Sequence, residues 1–287
     1  MTSRQQLRNH GRRIGEIRDI MNSMKTLTWM ETRKLDRLLE NQHAVVTGIE
    51  AVAADFVDAF PQVLPQTSPA REVCLLIGSE RGFCGDFNDV LVHALEHELQ
   101  TGAERDGPDV FAIGGKLGAA LGGDARIAEY LDGAGVVEEV ETVLSRVVDR
   151  LDELQAQHVM LTVTVWHHAA DGDGVLRRPL FPPFQEDSPQ AEHFPCPPVL
   201  NLEPQEFLVA LSDHYLYAVL HEIFYTSLLA ENRRRIQHLE GAVKHLDDES
   251  ARLRRQFNAR RQEEIIEEIE VILLSAASLA KPQVDKR

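Results

Sequence analysis

Apolar positions recur every three or four residues through the first fifth of the chain. Ile14, Ile17, Met21, Met24, Thr28, Glu31, Leu35, Leu38, Gln42, Val45, Ile49, Val52 and Phe56 fall at that spacing. Only Thr28, Glu31 and Gln42 interrupt the stripe, so the period predicts one seam of a coiled coil. No proline occurs before Pro61. A helix of about 45 residues would be roughly 70 Å long, a length natural for a coiled coil.

The other end repeats the pattern. After Pro204 no proline appears until Pro282, and Gly241 is the single glycine between them. Ile236, Leu239, Val243, Leu246, Ser250, Leu253 and Phe257 keep heptad spacing. The register slips by one residue and resumes at Ile265, Ile269, Ile272, Ala276 and Leu279. Pro204 suits a helix start, and "KPQVDKR" predicts its stop. Two long helices with matched seams at opposite ends of a chain predict an antiparallel pair.

Between them the pattern changes to short apolar runs alternating with helical stretches. "EVCLLIG", "PDVFAIG" and "HVMLTVTVW" read as three strands. "DFNDVLVHALEHEL" reads as a helix capped by Asp86 or Asn88, "KLGAALG" as a short helix, and "VVEEVETVLSRVVDRLDELQAQ" as a third helix. Such alternation predicts βαβ units and a small parallel sheet. The eight-proline segment from Arg177 to Pro204 is expected to be a surface connection. The predicted class is α/β: a long antiparallel coiled coil of residues 1–60 and 203–287, with a small Rossmann-like βαβ domain over 61–202.

Charge sharpens this division. Formal net charge is -16, which makes the surface as a whole a poor partner for nucleic acid. Residues 61–228 hold 9 Lys+Arg against 27 Asp+Glu, while residues 1–60 balance 9 against 8. An acidic body between two near-neutral ends suggests different jobs for them. The start is basic but lacks an apolar signal-type core, and no apolar run is long enough to span a bilayer. Cys74, Cys84 and Cys196 lack metal-ligand spacing, which favours reduced thiols.

Several stretches suggest chemistry. "GSERGFCG" at 78–85 has glycines after a strand but matches neither nucleotide-binding fingerprint, and Asp86 would repel a phosphate. A tight strand-to-helix crossover is the better account. Cys84 lies near Arg81 and a helix start, conditions that lower a thiol pKa. "IGGK" at 113–116 is a turn sooner than a phosphate cradle. His167 and His168, before Asp171 and Asp173, could hold a metal, but a solvated loop is the simpler expectation. The basic cluster "ENRRRIQHLE" at 231–240 is expected to be a solvated helix face, or a row of charges offered to an acidic protein surface.

At three places the chain resembles the gamma subunit of rotary F-type ATP synthases. "SERGFCGDFN" is similar to the family's [ST]-[DE]-R-G-L-C-G-G-x-N turn through Arg81, Gly82, Cys84, Gly85 and Asn88, with Phe83 for leucine and Asp86 for glycine. "FNARRQEEIIEEIEVILLSAASL" resembles the family's C-terminal Y-N-x-x-R-Q-x-x-I pattern through Asn258, Arg261, Gln262 and Ile265. Arg13, Ile14, Ile17 and Lys25 match the N-terminal pattern. The departures are local. The family's small A-A-S is here Glu31, Thr32 and Arg33, and its S-E-x-A-A-R-M is "AENRRRI".

The resemblance implies a rotor shaft that couples ion flow through a membrane ring to conformational cycling of catalytic beta subunits. It implies no catalytic residue, no cofactor and no metal in this chain. The implied partners are the alpha and beta subunits of the hexamer, the epsilon subunit and the c-ring, with no nucleic acid. Membrane association would come only through those partners, on the cytoplasmic side of a bacterial plasma membrane. By the same resemblance Arg261 and Gln262 touch a loop of a beta subunit, with Lys25 near the same level. A coiled-coil scaffold with a non-catalytic Rossmann-like domain, and a Rossmann-like enzyme, are the competing classes.

Overall fold

In the computed structural model the described residues are 4–64, 71–101, 108–124, 126–157, 160–172, 174–184 and 198–279. Their elements in chain order are α1 (Arg4–Ala59), β1 (Arg71–Ile77), α2 (Phe87–Thr101), β2 (Asp109–Ile113), α3 (Gly115–Ala120), β3 (Ile127–Leu131), α4 (Val140–Gln157), β4 (Leu161–His168), β5 (Val175–Phe181) and α5 (Pro204–Leu279). The chain divides into two compact units, one of residues 1–26 with 239–287 and one of residues 27–238.

The first unit is a pair of helices running antiparallel. Arg4 pairs with Glu264 at 2.7 Å, Arg18 with Asp247 at 3.4 Å and Lys25 with Glu240 at 3.8 Å, so rising numbers on α1 meet falling numbers on α5. Ile14, Leu239 and Leu253 are the buried apolar residues of its seam. The Arg4 guanidinium lies 5.5 Å from the centroid of the Phe257 ring. From Ile265 to Leu274 the apolar side chains of α5 are exposed.

The second unit is built on a five-stranded sheet of order β3-β2-β1-β4-β5. β3, β2, β1 and β4 are parallel neighbours, and β5 closes the edge antiparallel to β4. Side chains alternate between the faces, as the pleat requires. Val73, Leu75 and Ile77 of β1 join Val163, Val165, Val143, Val147, Val219 and Ile223 in the larger core under α4, α5 and α1. Cys74 and Leu76 face the smaller core with Leu91, Leu95 and Leu117 of α2 and α3.

The sequence predicted three strands, and the structure has five. β3 is a five-residue edge strand, too short for a clear alternation. β5 carries Arg177, Arg178 and Pro179, features that sheet edges tolerate. The expected surface connection therefore begins later, because Leu180 is buried in the larger core. Residues 185–197, including Cys196, and the "KPQVDKR" stop lie outside the described residues.

The seam of α1 in this second unit also differs in phase. Thr28, Leu35, Gln42, Ile49 and Phe56 lie on it as expected, but the alternate positions are Thr32, Leu39, Val46 and Ala53. Val45 and Val52, the expected members, are about half exposed. Gln42 Nε2 donates to the Ala218 carbonyl at 2.8 Å, which satisfies a polar group at the helix contact. Of the three departures at 31–33, only Thr32 is buried on this seam; the Arg33 guanidinium stacks over Trp29 at 3.9 Å.

Candidate functional site

The crossover from β1 to α2 holds the family-like turn, and two carboxylates of the chain itself organise it. Glu80 accepts from the backbone N–H of Gly115 and of Gly133, each at 2.7 Å. Glu231 of α5 accepts from the N–H of Glu80 and of Arg81, each at 3.2 Å. Amide pairs of this kind bind anions, and here both are filled by side chains. The Gly115 amide of the 113–116 stretch is thus taken by a carboxylate, and Gly114 makes the expected turn at φ 123°.

The turn's residues have separable jobs. A Cβ at Gly78 would sit 2.6 Å from Leu117 Cβ, so only glycine permits that approach. Gly85 is used for its φ of 61°. Nothing in the structure explains why residue 82 is glycine, since a Cβ there meets nothing nearer than 3.8 Å. Asn88 does not cap α2. It ties the strand end instead, accepting from Ser79 N and donating to Ser79 Oγ, each at 2.9 Å. Asp86 pairs with Arg234 at 2.6 Å, which lowers its carboxyl pKa. Backbone strain in the turn falls on Phe83, a phenylalanine at φ 65°.

Cys84 is not a poised thiol. It is buried, and desolvation with the neighbouring Glu231 pushes its pKa up to about 12. Its Sγ donates to the Arg81 carbonyl at 3.3 Å and lies 3.5 Å from Arg235 Nη2. Cys74, buried in the sheet, is likewise raised to about 12. The solvated loop expected for His167 and His168 is also corrected: both are buried at the end of β4. His168 stacks on Phe87 at 3.8 Å and bonds the Phe87 carbonyl at 2.8 Å. Desolvation lowers His167 to about 4 and lowers His168 as well. Asp173 lies outside the described residues, among which no group of three metal-ligating side chains occurs.

The basic cluster on α5 is where sequence reasoning missed most. Glu231, Asn232 and Arg235 are buried, and Arg235 bonds the Glu231 carboxylate, Asn232 Oδ1 at 2.6 Å and the Gly82 carbonyl at 3.1 Å. Burial pushes the Glu231 carboxyl up while Arg235 and the two amides oppose it. Arg233 reaches Asp36 of α1 and the Ala170 carbonyl, both at 2.9 Å. The spacing i,i+4 of Glu231 and Arg235 was the available signal; burial was not legible.

Arg261 and Gln262 are exposed on α5. Lys25 is not brought to their level. It pairs with Glu240, twenty-one residues from Arg261, or about 30 Å along a helix. No helix of the described residues is long and apolar enough to cross a membrane.

Comparison with known proteins fits this geometry. A family model described as ATP synthase matches residues 3–279. The ATP synthase gamma chain of Clostridium botulinum strain Langeland is 21% identical over 272 residues, covering 93% of this chain and 95% of that protein. The gamma chain of Clostridium novyi strain NT is 23% identical over 210 residues, 71% of each. Among solved structures, the rotor of the Euglena gracilis mitochondrial ATP synthase superposes with a TM-score of 0.57 at 14% identity, covering 91% of this chain and 98% of that one. The central stalk and c-ring structure of the Tetrahymena thermophila enzyme gives 0.56 at 15%, covering 78% and 99%. These two likenesses bear on the fold.

Proposed function

The chain belongs to the ATP synthase family as a gamma chain, and from that premise we propose how its parts serve as the shaft of the rotary enzyme. It is a non-catalytic, central-stalk subunit, peripheral to the membrane. As partners we infer, from membership of the family as a gamma chain, the alpha and beta subunits, the epsilon subunit and the c-ring. Each orientation of an asymmetric shaft favours one conformation of a surrounding catalytic subunit, so turning it shifts three populations in sequence.

We assign residues 1–60 and 203–287 to the shaft and 61–202 to the body, with Arg261, Gln262 and Lys25 as beta-subunit contacts. The axial offset makes Lys25 a contact at a different level from the other two. The turn of Arg81, Gly82, Cys84, Gly85 and Asn88 holds the body's own frame. We place it on the cytoplasmic face of a bacterial plasma membrane, a reading that the bacterial source of the relatives supports. The observation that carries the shaft reading is the antiparallel ladder Arg4–Glu264, Arg18–Asp247 and Lys25–Glu240, continued by the exposed apolar end of α5.

Co-purification tests it. The tagged chain is expected to bring down a hexamer that hydrolyses ATP, whereas a monodisperse free dimer indifferent to that hexamer would refute the assignment. Within the complex, Arg261→Ala should lower coupled ATP synthesis several-fold without changing the amount of assembled enzyme. Unchanged synthesis would remove Arg261 from the contact.

A further inference from the structure

We propose that residues 231–235 of α5 form a rotational lock, the point at which torque passes between the α/β body and the shaft helix. The inference rests on the shaft function above. Of four charged residues in five positions, three grip successive points of the turn at 80–86 and the fourth reaches α1 and the loop after β4. Glu231 holds the amides of Glu80 and Arg81. Arg233 holds Asp36 of α1 and the Ala170 carbonyl after β4. Arg234 holds Asp86 at the start of α2, and Arg235 holds the Gly82 carbonyl.

The preceding turns of α5 meet the sheet and α4 largely through apolar residues, among them Val219, Ile223 and Phe224, with scattered polar ties from Arg178 to Glu222 and from Tyr217 to Glu141. Apolar burial is non-directional and resists rotation of a helix about its own axis only through shape. Hydrogen bonds weaken steeply with angle, so bonds spread around one helical turn fix its azimuth. A buried ion pair is weak evidence for stability, because an apolar pair of similar volume often serves as well. Its value here is geometric. Two departures from the resembled sequence pattern meet in the same place. Arg234 stands where that pattern has alanine, Asp86 where it has glycine, and the two bond each other at 2.6 Å. Arg233 replaces the other alanine and adds the tie to α1. The lock is therefore more heavily built in this chain than the pattern requires.

The test uses inverted membrane vesicles carrying the whole complex, with ATP-driven proton and sodium uptake both followed as the opposing ion gradient is raised. Two double variants are compared with wild type. Glu231→Leu with Arg235→Met keeps the burial and removes the inner bonds. Arg233→Ala with Arg234→Ala restores the alanines of the resembled pattern and removes the outer ones. A slipping lock should lower the ions moved per ATP at least two-fold at the steepest gradient, and progressively less at shallower ones, with the melting temperature of the complex retained. Asp86→Arg with Arg234→Asp, which re-forms the outer pair, should recover most of the ratio lost on removing Arg234 alone.

A ratio that stays at the wild-type value in both double variants overturns the proposal. So does a loss independent of gradient, the mark of an unassembled or leaking fraction. Should the Leu–Met variant not assemble, Arg235→Lys, which keeps the inner charge and loses the forked bonds to the Gly82 carbonyl and Asn232, decides by the same criterion. Failure of the wild-type chain to assemble and pump would instead refute the shaft function itself.

Discussion

Helix α5 solves two different problems along its length. Between Ala218 and Arg235 it is wrapped: Ala218, Val219, Leu220 and His221 are consecutive and all buried, which needs neighbours on every side. From Leu239 to Ser275 only Leu239 and Leu253 are buried among the described side chains. The first stretch is a core helix that carries ions inward and matches each one. The second is a one-seam helix whose remaining surface is open to a partner. The difference shows that heptad spacing can run on past the helix contact, as at the exposed Ile265, Ile269 and Ile272 opposite no described residue of α1, and says nothing of what covers the other faces.

The sharpest way to break this comparison is to strand a buried charge in the wrapped stretch. Arg235→Ala leaves Glu231 enclosed without its cation and should cost about 3–5 kcal/mol of stability. Chemical denaturation of the full chain measures it, and a loss below about 1 kcal/mol would mean that water reaches the site.

Acid probes the same region. The folded pKa of His167 is about 4, below its ordinary 6.5, so the unfolded chain takes up its proton first as pH falls. The stability this neutral imidazole contributes is complete above pH 6.5 and is lost between there and pH 4. Up to about 3 kcal/mol is at stake, from 1.36 kcal/mol per unit. His168 acts with the same sign. Melting temperature should fall from pH 7 to pH 5, and less so in His167→Leu; equal slopes in both proteins would exclude this histidine as the source.

A smaller effect has the opposite direction. Phe83→Gly relieves a left-handed backbone under a half-exposed ring and should stabilise the chain by up to about 1 kcal/mol. A net loss would show that the ring's contact with His238, 6.5 Å between centroids, outweighs the strain. Least of all, Ile269→Ala in the open stretch should move the stability of the free chain by less than about 0.5 kcal/mol. A larger change would place a covering segment over that face.

Much of the fold was legible because periodicity reports burial directly. The seam of α5 from Ile236 to Phe257 lies where its spacing puts it. On α1 the choice of the most apolar positions misled: Val45 and Val52 outrank Val46 and Ala53 in size or equal them, yet the smaller set faces α5. Hydrophobicity cannot decide between two stripes one residue apart when closeness of approach matters. The turn at 78–88 was correctly a crossover, while the burial of Glu231 and Arg235 was invisible. Their partners outside α5 include backbone groups at least 150 residues away, and backbone groups leave no mark in a sequence. His167 and His168 failed likewise, since a strand end with two imidazoles looks polar until Phe87 covers it.

The Glu80 carboxylate has a consequence beyond the turn it shapes. It sits across the amides of Gly115 and Gly133, the kind of donor pair that phosphate groups seek. Because that carboxylate is tethered at the spot, a dissolved anion competes against an effective concentration in the millimolar range or above. A shaft that turns amid ATP, ADP and phosphate is thereby made deaf to all three at this place.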